Sequence, residues 1–203
     1  MLFNILMKVF FMARYNGSRL KIVRRLGLLP GFTKKVLKKS TKALNFKKLS
    51  QYGLHLQEKQ KLRYNYGVSE KELIRYVQKA RKKNGDTGQL LLQFLENRLD
   101  SLLYKVGITS TILAARQLIA HGHIYVNNTK VTVPGFYCET GVKISLKKSL
   151  LKKFSKVVNK DLDGFTFVDN FEKIIIVKMD EPDIKQLGFS LNILLVLEYY
   201  AGN

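Results

Sequence analysis

The stretch ARQLIAHGHIYVNNTKV, residues 115–131, gathers Arg116, Gln117, His121, His123, Asn127, Asn128 and Lys130 with no carboxylate among them. Guanidinium and amide groups bond phosphates and base edges, and imidazole and carboxamide groups donate without adding negative charge. The chemistry on offer is recognition of a polyanion. A lone histidine is often just a satisfied structural residue, but His121 and His123 flank a helix stop beside basic side chains. An enzyme reading rests on Arg98-Leu99-Asp100, whose carboxylate could serve as a nucleophile. No second carboxylate or base is spaced around Asp100 as a site, so it reads as a carboxylate on a helix surface.

The elements that position these residues follow from periodicity. At 100° per residue, Ile112, Ala115, Leu118 and Ile119 fall on one side of a helix, with Arg116, Gln117 and His121 opposite. Ser110 is placed to cap this helix and Gly122 to end it. HIYV, the pair Asn127-Asn128 and KVTV form a hairpin whose turn residues tolerate positive φ. GVKISL alternates as a further strand. Upstream, TGQLLLQFLENRLDSLLYKVG reads as helix with Leu91, Phe94, Leu95, Leu102 and Val106 near one stripe, a bend near Asn97 and a stop at Gly107. Ser69 and Glu72 form a capping box before a helix whose Leu73, Val77 and Ala80 share a face. LQEKQKLRYNYG is a shorter helix ended by Gly67. GFTFVD and EKIIIVKM are strand candidates, EPDIKQLG a loop, and SLNILLVLEYY an apolar segment packed back on the body.

Charge is distributed unevenly over the 203 residues, with a formal net of +21. Residues 1–57 carry thirteen Lys/Arg and no acid, residues 58–160 twenty against seven acids, and residues 161–203 three against eight. A field of this sign favours nucleic acid. A membrane surface is the weaker partner, because MLFNILMKVFF is eleven residues broken by Lys8, too short to span, and has no small-residue cleavage site. The single cysteine, Cys138, excludes an internal disulfide and a Cys-rich zinc knuckle. Residues 12–50 read as an extended basic leader, either a solubilising tail or an arm ordered along phosphates, with Tyr15 and Phe32 available to stack. The lysine-rich 147–160 reads as a solvated face or linker.

ENRLDSLLYKVGITSTILAARQLIAHGHIYVNNTKVTVPGFY resembles the RNA-binding module of the fourth small-subunit ribosomal protein family. MARYNGSRLKIVRRLG, SQYGLHLQEKQKLRYNYGVSEKEL, GDTGQLLLQFLENRLD and LVLEYYA resemble other parts of that family, and RRLGLLPGFTKK is most similar to chloroplast-encoded members. The resemblance implies an α+β protein. A basic extended arm (1–49) precedes a small helical domain (50–97, completed by 188–203). A mixed domain (98–187) then carries the helix-turn-helix-plus-hairpin module at 98–146 and a small antiparallel sheet. It implies a non-enzymatic structural role in the small subunit: binding its ribosomal RNA directly, nucleating assembly of the subunit body and contributing to accuracy. Expected partners are that RNA, the fifth small-subunit protein and messenger RNA where it enters the subunit, with no membrane and no small-molecule substrate. The implied location is the chloroplast stroma, with a bacterial cytoplasm as alternative; the functional alternatives are a stand-alone RNA chaperone and an RNA-modifying enzyme, since Arg98-Leu99-Asp100 resembles the Arg-Leu-Asp of pseudouridine synthases.

The candidate RNA contacts are Arg14, Arg24, Arg25, Lys34, Lys35, Lys59, Lys61, Arg63, Thr87, Arg98, Arg116, Gln117, His121, His123, Asn127, Asn128 and Lys130. Asp180, Glu181 and Asp183 are the candidate protein contacts. Some family members carry leader cysteines that bind zinc; this leader has none, so no metal and no cofactor is assigned. Residues 1–11 precede Met12, the family's usual start, and are read as an extension or an upstream start codon.

Overall fold

The computed structural model describes residue 15 and residues 17–35, 49–147, 164–169, 173–178 and 187–201. Arg14, Asp180, Glu181, Asp183, residues 1–11 and all of the lysine-rich run after Lys147 lie outside the described residues. The described chain is α+β, with seven helices and one five-stranded antiparallel sheet. No described helix is long and apolar enough to cross a membrane.

The first helix, α1 (Arg19–Leu26), corrects the expectation of a wholly extended leader. Val23 and Leu26 share one side of α1, and they are buried, as are Leu29 and Phe32 beyond its end. Phe32 stacks inside the protein, with Tyr15 and Tyr64 at ring-centroid distances of 6.2 and 5.6 Å, and is not an RNA wedge. The periodicity was masked by the interspersed arginines and lysines, which point outward.

Four helices and the C-terminal segment build the next layer. α2 (Gln51–Tyr66) starts one turn earlier than its apolar residues suggest, because the Ser50 hydroxyl accepts from Gly53 N–H, and it ends at Gly67 in the left-handed region (φ 59°). α3 (Glu70–Arg81) opens with the expected reciprocal Ser69–Glu72 capping box. α4 (Thr87–Glu96) is capped by Asp86. The long helix predicted over 87–106 divides at Asn97-Arg98, and α5 (Leu99–Lys105) follows. Arg98 offers α5 no side-chain cap; instead Leu99 and Asp100 N–H groups donate to the carbonyls of Phe136 and Pro134. Such outside partners are what a short helix needs for its orphan donors.

α6 (Ile112–Ala120) is capped by Thr111, one residue later than the expected Ser110. Strands β1 (Ile124–Val126) and β2 (Thr129–Val131) form the hairpin, with Asn127 and Asn128 at φ 47° and 66° as a two-residue hairpin of the primed kind requires. β3 (Lys143–Lys147), β4 (Phe165–Asp169) and β5 (Lys173–Lys178) complete the sheet in the order β2-β1-β3-β5-β4. Register places Ile124 opposite Leu146, Val126 opposite Ile144, and Ile144 opposite Ile176. Their shared face buries against Leu99, Leu103, Leu118 and Ile119. A second core joins α2, α3 and α4 to α7 (Ile193–Ala201) through Leu62, Leu73, Leu91, Leu95 and Val196. Ile112 belongs to this second core, whereas Ala115, Leu118 and Ile119 join Leu102 and Val106 in the first. α6 therefore reaches both cores.

Candidate nucleic-acid interface

The outer face of α6 carries what periodicity assigned to it. Ala115, Leu118 and Ile119 are buried, Gln117 and His121 are exposed, and one helical turn separates the latter two. The chain then turns at Gly122 (φ 71°), where a side chain would collide with that of Lys130. Lys130 from β2 thus lies across the helix end. The rings of His121 and His123 sit 6.1 Å apart beside it. Asn128 is exposed at the hairpin tip. Gln117, His121, His123 and Lys130 are brought together on a surface drawn from residues 101–138, which contain no acid.

Asn127 has a structural occupation. Its Oδ1 accepts from Lys143 N–H at 3.0 Å and its own N–H donates to the Lys143 carbonyl, locking the hairpin to β3. Arg116 is also more engaged than its exposed face predicts. Its guanidinium donates to the Gly67 carbonyl, and Nε lies 3.7 Å from Asp100 Oδ2, leaving the side chain 27% exposed. It ties α6 to the α2–α3 corner.

The assignment of Arg98 to RNA is corrected. Arg98 is 1% exposed, and it donates from Nε and Nη2 to the two oxygens of Asp100 at 3.0 and 2.8 Å, and from Nη1 to Tyr76 Oη at 2.8 Å. Burial opposes its charge, but Asp100, together with Tyr76 and Glu72, holds the proton and raises its pKa further. Asp100 itself is 0% exposed and also accepts from Ser101 N–H, so it is not the surface carboxylate expected. A carboxylate enclosed by two guanidinium groups has no path to a nucleobase, which removes the residue on which the enzyme reading rested. The spacing Arg98-x-Asp100 was visible in sequence, but nothing local distinguishes a buried pair from an exposed one.

Lys59 is likewise corrected. It is 4% exposed, bonded to Glu70 Oε1 at 3.0 Å and held 4.2 Å above the Tyr199 ring. Lys61 is half-buried and paired with Glu58. Arg63 is half-buried, with its guanidinium over Tyr64. Thr87 begins α4, whose next residue, Gly88, abuts Ile193 of α7. Arg24 and Arg25 are exposed in the last turn of α1, and Lys34 and Lys35 are exposed just after it.

The sequence missed how that leader is anchored. Gly31 N–H donates to Asn65 Oδ1 at 2.9 Å, and the Gly31 carbonyl accepts from Ile112 N–H, the first residue of α6, at 2.8 Å. A Cβ at Gly31 would come within 2.6 Å of the Asn65 carbonyl oxygen, so the close approach depends on glycine. The segment bearing Lys34 and Lys35 is thereby fixed to the N terminus of the helix whose other end carries the Gln117–Lys130 cluster. The Pro30-Gly31 pair signalled a turn, but not its long-range partners.

A helix pair, a hairpin and a return strand presenting an acid-free polar face define an RNA-binding module mounted on a helical platform. Comparison with known proteins agrees: residues 14–96 match the ribosomal protein S4/S9 N-terminal domain, and residues 97–144 match the S4 domain. The small ribosomal subunit protein uS4c of Bigelowiella natans is 54% identical over 195 residues, covering 94% of this chain and 100% of that protein. The proteins of the same name from Oltmannsiellopsis viridis and Chlorokybus atmophyticus are 45% and 46% identical over 199 and 205 residues, each covering 94% of this chain and 100% and 98% of theirs. The chain belongs to the family of small-subunit ribosomal proteins S4.

Proposed function

We propose that the chain is a structural, non-enzymatic component of the chloroplast small ribosomal subunit, working in the stroma. In this reading it binds the small-subunit ribosomal RNA directly and early, and nucleates assembly of the subunit body. The observation that carries the reading is the cluster of Gln117, His121, His123 and Lys130 at one end of α6, with the Lys34–Lys35 segment anchored at the other. One helix thus organises two cationic or neutral donor surfaces for a single polyanion. Residues 1–49 act as the RNA-following arm, with Arg14 among its contacts. Residues 50–97 with 188–203 form the platform, and 98–187 the mixed domain, with the RNA module at 98–146. The acidic 161–203, including Asp180, Glu181 and Asp183, faces a basic protein neighbour, the fifth small-subunit protein, near where messenger RNA enters, and through it contributes to accuracy. Phosphate would repel such a surface.

The test is binding of the purified chain to transcribed small-subunit RNA. Gln117→Ala with Lys130→Ala is expected to weaken binding without lowering the melting temperature, since both side chains are exposed. Unchanged affinity would overturn the assignment of this face.

A further inference from the structure

A groove of about 400 Å³ is lined by Lys79, Lys83, Phe94, Tyr137, Glu139 and Thr140, none of which belongs to the Gln117–Lys130 cluster. It is formed where the end of α3 passes α4 and the strap that follows the hairpin. Lys79 Nζ lies over the Phe94 ring at 4.6 Å and the Tyr137 ring at 5.2 Å from their centroids. Lys83 Nζ lies over the same Phe94 ring at 5.5 Å. Both lysines are exposed, and among the described residues neither is ion-paired to a carboxylate. Lys79 lies in the last turn of α3 and Lys83 two residues beyond its end, and like charges gathered over one ring repel. The helix dipole favours cations at a C-terminal end, but it does not require two of them to turn onto one ring above a cavity.

We infer that this groove is a second RNA contact, which holds one backbone phosphodiester between the Lys79 and Lys83 ammonium groups. The charges fit that ligand. Two ammonium groups and the Glu139 carboxylate leave one net positive charge, which a single phosphodiester neutralises. Glu139 and Thr140 then face the sugar side, where a 2′-hydroxyl donates or accepts. Phe94 and Tyr137, in edge contact at 6.1 Å, form a floor that water does not hydrate well, which strengthens the attraction above it. The inference rests on the RNA-binding reading of the chain and adds to it a site on the helical platform.

The experiment uses the full chain and a transcribed small-subunit RNA, with affinity measured by fluorescence anisotropy across a salt series. Lys79→Met with Lys83→Met keeps the alkyl stems over Phe94 and removes the charges. It is expected to weaken binding about tenfold, the loss of a charge-assisted contact. The plot of log affinity against log salt should become shallower by roughly 0.7–0.9, one phosphate's worth. Lys79→Arg with Lys83→Arg should restore the slope, and the melting temperature of the methionine pair should not fall. Unchanged affinity and slope in the methionine pair would overturn the groove assignment. If Lys130→Ala still weakens binding in that case, the proposed function stands and only the groove falls; if the unaltered chain does not bind, both fall.

Discussion

Asp100 sits between two guanidinium groups, Arg98 fully buried and Arg116 partly so. Removing one member of a buried pair strands the other, at a typical cost of about 3–5 kcal/mol. Arg98→Met is therefore expected to lower the unfolding free energy read from urea titration by an amount of that order, with a lower midpoint, and Asp100→Asn to lower it as well. Arg116→Ala is expected to cost less, but not nothing, because the Gly67 carbonyl loses its donor. A wild-type midpoint in Arg98→Met would show the pair to be dispensable. Cys138 poses a different question at the same scale. Burial, partly offset by Lys178, pushes its thiol up to about 12, and Lys178 donates to its carbonyl at 3.1 Å. Only the thiolate reacts, so native protein at pH 8 should resist a colorimetric thiol reagent and react on unfolding. Prompt native labelling would contradict this burial.

Among the elements, α3 depends on its first turn. Burial pushes the Glu72 carboxyl up, but the Ser69 backbone N–H, Arg98, Arg116 and the Ser69 hydroxyl together hold it below its ordinary value. A carboxylate depressed in the folded state contributes stability above its unfolded pKa and loses it as pH falls through the folded value. Ser69→Ala should cost about 1 kcal/mol near neutrality, and the difference from wild type should shrink in acid, as followed by circular dichroism at a series of pH values. A constant difference would mean that the cap acts without the Glu72 charge. In the hairpin, Asn128 holds φ 66°, which glycine adopts freely and a β-branched residue does not. Asn128→Gly should leave the melting temperature unchanged or raised, and Asn128→Val should lower it; equal effects would show that the turn is not strained.

For the molecule as a whole, the +21 net charge and its concentration before residue 161 set how it meets RNA. Neutralising about six to ten phosphates loses roughly three to five decades of affinity between about 50 and 200 mM salt. Filter binding over that range is expected to show such a slope, and a flat response would contradict a phosphate-led mechanism. α7 packing onto α2, with Tyr200 donating to Glu70 at 2.8 Å, means that the C-terminal segment also supports the platform. Removing residues 193–203 is expected to destabilise the α2–α4 core rather than to affect the hairpin alone, as amide exchange would report.

Much of this was legible from residue order alone. The period of Ile112, Ala115, Leu118 and Ile119, the Ser69–Glu72 box, the Asn127-Asn128 turn and the acid-free 101–138 stretch are local, because helix period, caps and turns depend on residues a few positions apart. The polyanion partner was legible too, since charge adds without reference to fold. What the tertiary structure decided was which charges remain available. Lys59 and Arg98 look like any other basic residue in sequence, and only the arrival of Glu70, Tyr199 and Tyr76 from other elements turns them into interior groups. The same holds for Lys79 and Lys83, which become a pair over one ring only because α4 and the 137–140 strap close against α3. It holds again for Gly31, whose bonds to Asn65 and Ile112 join residues 34 and 81 positions apart. Hydrogen bonding and desolvation act over a few ångströms in space, and separation along the chain carries no information about that distance until the cores have packed.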